Sequence, residues 1–272
     1  MEVDLLDFWV PVENNKTLFV WNITPNLTES HIQERLHAVF SSFGPLYLVK
    51  VRPNAALSTP GFNGIIKFYS AAQARKAQQN TDGRALFHTT PLKVRLSSQK
   101  MPHFLSGSRP LSHARCVELA NHCLGFNGWT CDIVTLKELP PEDEEEEDKA
   151  GGRVRVKLGC VVQISFPRHG VSTRGAAVVE DVLSHAGPEM MLRKRSSLHK
   201  LVRDKAAVQA FSTVVLVLLG ERKVMVELRR SAEHLFPEEP QGLIPVCNRD
   251  EVENLPADED PWELEDLDLT VW

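Results

Sequence analysis

Apolar residues fall into runs of changing period along the first third of the chain. Strand-like runs cover Thr17–Asn22, Leu46–Arg52, Phe62–Tyr69 and Leu92–Leu96. Between them, Ile32, Leu36, Val39 and Phe40 repeat at helical spacing, with Thr28 as a suitable N-cap, and Ala71–Gln79 forms a second, small-residue helix. Period two predicts strand and period 3.6 predicts helix, so the order is βαββαβ. The next pattern begins with an amphipathic helix at Leu111–Leu124. Ile133–Glu138, Arg153–Leu158, Cys160–Phe166 and Gly175–Asp181 then read as strands, Pro188–Phe211 as a long basic helix, and Val214–Leu219 as a strand paired with Lys223–Leu228. Residues 1–15 read as a mildly acidic lead carrying Phe8 and Trp9. The expected organisation is α+β. A first unit spans 16–97, a Ser-, Gly- and Pro-bearing linker 98–109, and a second unit 110–230 with an acidic loop at 139–150. An acidic tail at 231–272 is expected to be disordered.

Charge adds a second layer. The formal net charge is only −5, but residues 141–148 hold seven acids and no base, and residues 231–272 hold thirteen acids and one base. The remaining 222 residues carry 30 Lys+Arg against 16 Asp+Glu. A basic body with acidic appendages is the electrostatic footprint of a nucleic-acid binder. Five cysteines, an odd number with no Cys-x-x-Cys, suggest reduced thiols in an intracellular compartment. No run of 18 apolar residues exists, so no membrane-spanning helix is expected. The N-terminus lacks the basic region of a secretory signal.

The first four strands carry a resemblance. Leu18-Phe19-Val20-Trp21-Asn22-Ile23 is similar to the first short motif of the RNA recognition motif family, and the βαββαβ order matches its ferredoxin-like fold. Strand periodicity puts Phe19 and Trp21 on one face, where that family stacks bases. The second short motif departs from the family pattern. Anchored on Gly64, Ile66 and Phe68, it places Asn63 and Ile65 at the two stacking positions, so two expected aromatics are missing. Lys50, Arg52, Lys67 and Arg95, with Lys16 and Lys93, are candidate phosphate contacts of mixed parity. The rival expectations are a protein-docking adaptor that uses the Phe19/Trp21 face and the acidic tail, and a factor in RNA metabolism.

Residues 113–129 contain Arg115, then Leu119-Ala120-Asn121, then Gly125-Phe126-Asn127-Gly128-Trp129. By chemistry alone, Gly125 could cap a helix and Phe126 and Trp129 could plug a core. An aromatic flanked by glycines could equally offer a ring to a base of any sequence. This stretch resembles the signature of the Rad-fifty-two family of single-strand annealing proteins, and the likeness extends over about 110–212. It implies a β-meander and helix lining a basic groove, with subunits assembled into rings. Arg115 then takes the place of a phosphate-binding arginine and Phe126 that of the signature aromatic. Ser197-Leu198-His199-Lys200 resembles the start of the family's helix, with Lys194 near an outer-groove lysine. Phe211-Ser212-Thr213 stands where that helix carries its main cations, so the inner groove has lost them. Arg153, Arg155 and Lys157 on one strand, and Arg193, Lys194, Arg195, Lys200 and Arg203 on the helix, are the cations that could replace them. The segment that completes the family's ring interface is not recognisable here.

Other chemistry is weaker. Cys116, Cys123, His113 and His122 match no standard zinc spacing. No phosphate-binding loop, nucleophile elbow or His-Glu-x-x-His occurs. The expectation is a protein that is not an enzyme, has no metal or cofactor, and binds single-stranded DNA and RNA with little sequence preference. The resemblance places it near DNA repair and recombination and in the nucleus, with nucleolus and cytoplasm as further locations. Self-association and a protein partner for the acid/apolar alternation at 260–272 complete the expected partners, and a membrane is not among them.

Overall fold

The computed structural model describes residues 3–55, 59–86, 90–98, 109–140, 154–183, 188–219 and 223–229. Arg153, the acidic run 141–148, most of the linker and the tail from 231 lie outside them.

The first unit contains β2 (Thr17–Ile23), α1 (Glu29–Phe40), β3 (Leu46–Pro53), β4 (Phe62–Phe68), α2 (Ala71–Thr81) and β5 (Lys93–Leu96), after β1 (Val3–Asp7). The Thr28 and Ser70 side chains accept hydrogen bonds from backbone N–H groups in the first turns of α1 and α2. The sheet order is β3-β4-β2-β5, all antiparallel. Leu18, Val20, Ile66 and Val94 point inward to Ile32, Leu36, Phe40 and Ala74 and are fully buried. This is the ferredoxin-like arrangement expected from the pattern, with helices on one face and the other face open.

The second unit is built from α3 (His113–Leu124), β6 (Thr130–Leu139), β7 (Val154–Phe166), β8 (Val171–Leu183) and α4 (Pro188–Ser212), followed by β9 (Val214–Leu219) and β10 (Lys223–Leu228). The two strands expected at 153–158 and 160–166 are one strand, β7. Gly159 sits inside it, opposite Lys137 on β6 and Val178 on β8. The meander β6-β7-β8 lays Val156, Leu158, Cys160, Val162, Ile164 and Phe166 under α3 and α4. Helix α4 reaches β8 at Gly175, where a Cβ would sit 2.2 Å from the Ala206 carbonyl oxygen and 2.4 Å from the Ala210 nitrogen.

Residues 1–15 are not a mere lead. β1 pairs antiparallel with β9 in a sheet ordered β1-β9-β10. Leu6 and Phe8 enter the second unit's core, with the Phe8 ring 4.8 Å from that of Phe211. The Trp9 indole N–H donates to the Ser212 carbonyl at 3.0 Å. The first unit is therefore inserted between the opening strand of the second unit and its first helix.

Candidate nucleic-acid interface

The open face of the first sheet follows from its register. Phe19 stands opposite Ile65 on β4 and Arg95 on β5, and Trp21 stands opposite Lys93. Lys50 faces Ile65, and Arg52 faces Asn63. Phe19, Trp21 and Ile65 thus form a half-exposed apolar strip, with Lys50 and Arg52 on one flank and Lys93 and Arg95 on the other. The two aromatic rings lie 5.5 Å apart, tilted by 34°. Among the described strand residues, this face carries no carboxylate. Lys50, Arg52, Lys93 and Arg95 share one side despite their mixed sequence parity, because they lie on different strands in register.

Two expected contacts are corrected. Asn63 is buried, and its amide donates to Asn54 Oδ1 at 3.4 Å from the connection between β3 and β4. It cannot offer a stacking surface. Lys67 is only 1% exposed, with its ammonium 6.0 Å from the Tyr47 ring centroid. It is no surface phosphate contact, because the second unit and the N-terminal segment close that end of the sheet. Tyr69 is buried in the second unit's core cluster, and burial raises its pKa well above the ordinary phenol value. Lys16 is paired with Glu13 at 2.9 Å.

The signature 113–129 divides into parts. Ser112 caps α3, and Gly125 ends it at φ +81°, a conformation costly for residues with a side chain. A Cβ on Gly128 would fall 2.3 Å from the Leu124 carbonyl oxygen. The Trp129 indole N–H donates to Asn121 Oδ1 at 3.0 Å, and its ring meets Phe211 edge-on at 5.3 Å. Trp129 plugs the core, whereas Phe126 is 84% exposed. Most of the signature thus fixes a rigid turn that holds one phenyl ring in solvent.

Arg115 does not flank that ring. It lies at the opposite end of α3, about 15 Å away along the helix axis. Its guanidinium sits 5.7 Å from the Tyr47 ring centroid of the first unit and donates to Glu118 at 2.8 Å. Burial opposes its charge, but the Glu118 carboxylate outweighs this and holds its pKa above the ordinary value.

The remaining cations are dispersed. Arg155 and Lys157 lie on the outward side of β7, opposite Val182 and Glu180. Arg155 is 3.8 Å from Glu180. On α4, Arg193 pairs with Glu189 at 2.8 Å and Arg195 with Glu138, while Lys200 is exposed and Lys194 half-buried. Arg155 is eleven residues from Phe166, about 35 Å along β7 from the end where the signature leads into β6 at Thr130, opposite Ser165. Phe126 and the helix cations do not form one compact site. Sequence reasoning missed Tyr47, which occupies an irregularity of register between Leu46 and Leu48; an aromatic in an apolar strand gives no local sign of it. No group of three metal-ligating side chains gathers among the described residues. Cys116 and Cys123 are pushed up to about 12 by burial.

Comparison with known proteins places both units. Residues 18–92 match a family model described as RNA recognition motif, and residues 111–215 one described as RDM1 DSRM domain. The chain is similar to the RAD52 motif-containing protein 1 of Danio rerio, at 49% identity over 88% of this chain and 86% of that protein. It matches the Gallus gallus protein of that name at 40%, covering 98% and 95%, and the Homo sapiens one at 37%, covering 89% and 88%. Among solved structures, the Mip6 RRM3 domain aligns at 24% identity over 33% of this chain and all of that one, with a TM-score of 0.27.

Proposed function

The chain belongs to the RAD52 motif-containing protein 1 family, and from that premise we propose that it binds single-stranded DNA and RNA with little sequence preference. The observation that carries this reading is the open face of the first sheet, where Phe19 and Trp21 stand between two rows of cations and no described strand residue is a carboxylate. A ring face stacks on any base, and Lys or Arg contacts the phosphates that every strand shares. Matches to an RNA recognition motif and a DSRM domain support nucleic-acid binding in both units. The annealing-family signature supports a role in the DNA damage response, double-strand break repair or recombination, and hence a nuclear location. No covalent chemistry is required, because base pairing itself supplies the free energy of bringing strands together.

The test is anisotropy of labelled single-stranded DNA, single-stranded RNA and duplex DNA with the full chain. Phe19→Ala and Trp21→Ala each weaken single-strand binding by about 1–3 kcal/mol. Unchanged single-strand affinity in the double variant overturns the reading.

A second reading has its own observation. The outer side of the β1-β9-β10 sheet exposes Val3 (52%), Leu5 (56%) and Met225 (40%) in register around Val217. A contiguous aliphatic face is a docking surface for a protein, so an adaptor role would use this sheet as well as the Phe19/Trp21 face. Leu5→Asp removing a co-purifying partner, with nucleic-acid affinity intact, favours it.

A further inference from the structure

The sheet site does not end where the first unit ends. Phe19 pairs with Ile65, and Thr17, two residues back on the same side, pairs with Lys67. Lys67 pairs in turn with Leu48, beside Tyr47. Tyr47 is about 11 Å from Phe19, two strands across and two residues along. Its ring is half-exposed at the β3 edge, whereas Thr17 and Lys67, in the row that leads across β2 and β4 to Leu48, are buried, as is Tyr69. Over that ring stands the Arg115 guanidinium, 5.7 Å from its centroid and supplied by α3 of the second unit. The side chain of Arg115 is 40% exposed. A guanidinium has five N–H donors, and Glu118 takes a bond from one nitrogen, Nη1. The others are available at the rim.

We propose that Tyr47 and Arg115 extend the sheet site across the seam between the two units, so that a single strand is held by both at once. Its bases stack on Trp21 and Phe19, and a phosphate further along the strand sits against Arg115 above Tyr47. Glu118 is the internal competitor for that guanidinium. The proposal rests on the reading of the sheet as a single-strand site and adds a length requirement: a strand must span the distance from Phe19 to the seam before Arg115 contributes. A stacked guanidinium facing a phosphate forms charge-assisted hydrogen bonds, the stronger kind.

The experiment uses the full chain with oligouridylate and oligothymidylate of three and ten nucleotides. Anisotropy reads the decamers, and the shifts of the Lys93 and Arg95 backbone amides, opposite Trp21 and Phe19, read the trimers in every variant. Arg115→Gln weakens decamer binding about tenfold and lowers the magnitude of its salt slope by about 0.7, while leaving the trimers unchanged. Glu118→Gln tightens the decamers and not the trimers, an outcome that a purely structural Arg115 does not produce. Equal losses for both lengths on Arg115→Gln, or an unaltered decamer with either variant, overturn the proposal. Loss of both lengths in the Phe19→Ala/Trp21→Ala double variant, with no effect of Arg115→Gln, defeats the extension and keeps the sheet site. No effect of the double variant on either length defeats the sheet site itself. A difference between the uridylate and thymidylate decamers on Arg115→Gln identifies which strand chemistry the seam prefers.

Discussion

The two larger sheets share a plan and differ in what their open faces are free to do. Each is covered on one side by two helices and leaves the other side outward. On the first, outward positions hold Phe19, Trp21 and Ile65 among Lys50, Arg52, Lys93 and Arg95. On the second, Arg174 is tied to Gln163 at 3.0 Å and Arg155 approaches Glu180, with Val161, Ala176 and Val178 between them. The second face keeps its cations, of which Arg155 has Glu180 3.8 Å away, but among the described residues it offers no ring. Net charge of a unit therefore says little about its capacity to bind. What counts is whether cations stand beside a stacking surface.

That contrast can be broken most severely at Phe8. Phe8→Ala removes a fully buried ring from the second core and costs about 3–5 kcal/mol. Calorimetry should show the second unit melting early while the first, with its separate core, keeps its own transition and its trinucleotide affinity. Gly175→Ala comes next, since its new methyl meets the α4 backbone; overpacking of this kind costs about 1–3 kcal/mol. Urea midpoints followed by Trp129 fluorescence check it, and an unchanged midpoint would show that α4 can lift away freely. Salt titrations sharpen the comparison further. Lys50→Ala or Arg95→Ala should lower the slope of log affinity against log salt by about 0.7 each, whereas Arg155→Ala changes it little because Glu180 already screens that charge. Equal slope changes would erase the distinction between the two faces. Near neutral pH the smallest effect is that of the buried thiols, which grows only in alkaline solution. Cys116 and Cys123 titrate near 12 when folded and near 9 when exposed. Above pH 9 the unfolded chain loses these protons first, so stability of the second unit declines between pH 9 and 12. Cys116→Ala should flatten that decline.

The legible parts were those with local rules. The βαββαβ order, the Thr28 cap, the pairing of Val214–Leu219 with Lys223–Leu228 and the outward aromatics on β2 follow from period, capping and turn chemistry within a few residues. β1 escaped because Val3-Asp4-Leu5-Leu6-Asp7 does not alternate, and its partner lies more than two hundred residues away. Asn63 and Lys67 have the outward parity expected of binding residues, but both are buried, Asn63 against Asn54 of the β3–β4 connection and Lys67 beside Tyr47. The signature could be seen as a unit, but its division of labour could not: Asn121 braces Trp129, Gly125 and Gly128 shape the turn, and of the two aromatics Phe126 remains exposed.

By itself the sequence determined the elements, the segregation of charge, and which side chains share a strand face, because these depend on backbone periodicity and composition. Tertiary structure alone decided which of those side chains remain available. Docking of the two units buries Lys67 and places Arg115 on Tyr47, and distant ion pairs such as Arg195 with Glu138 occupy cations that look free in the sequence. Burial and charge pairing are set by neighbours brought from far along the chain, and no local pattern encodes them.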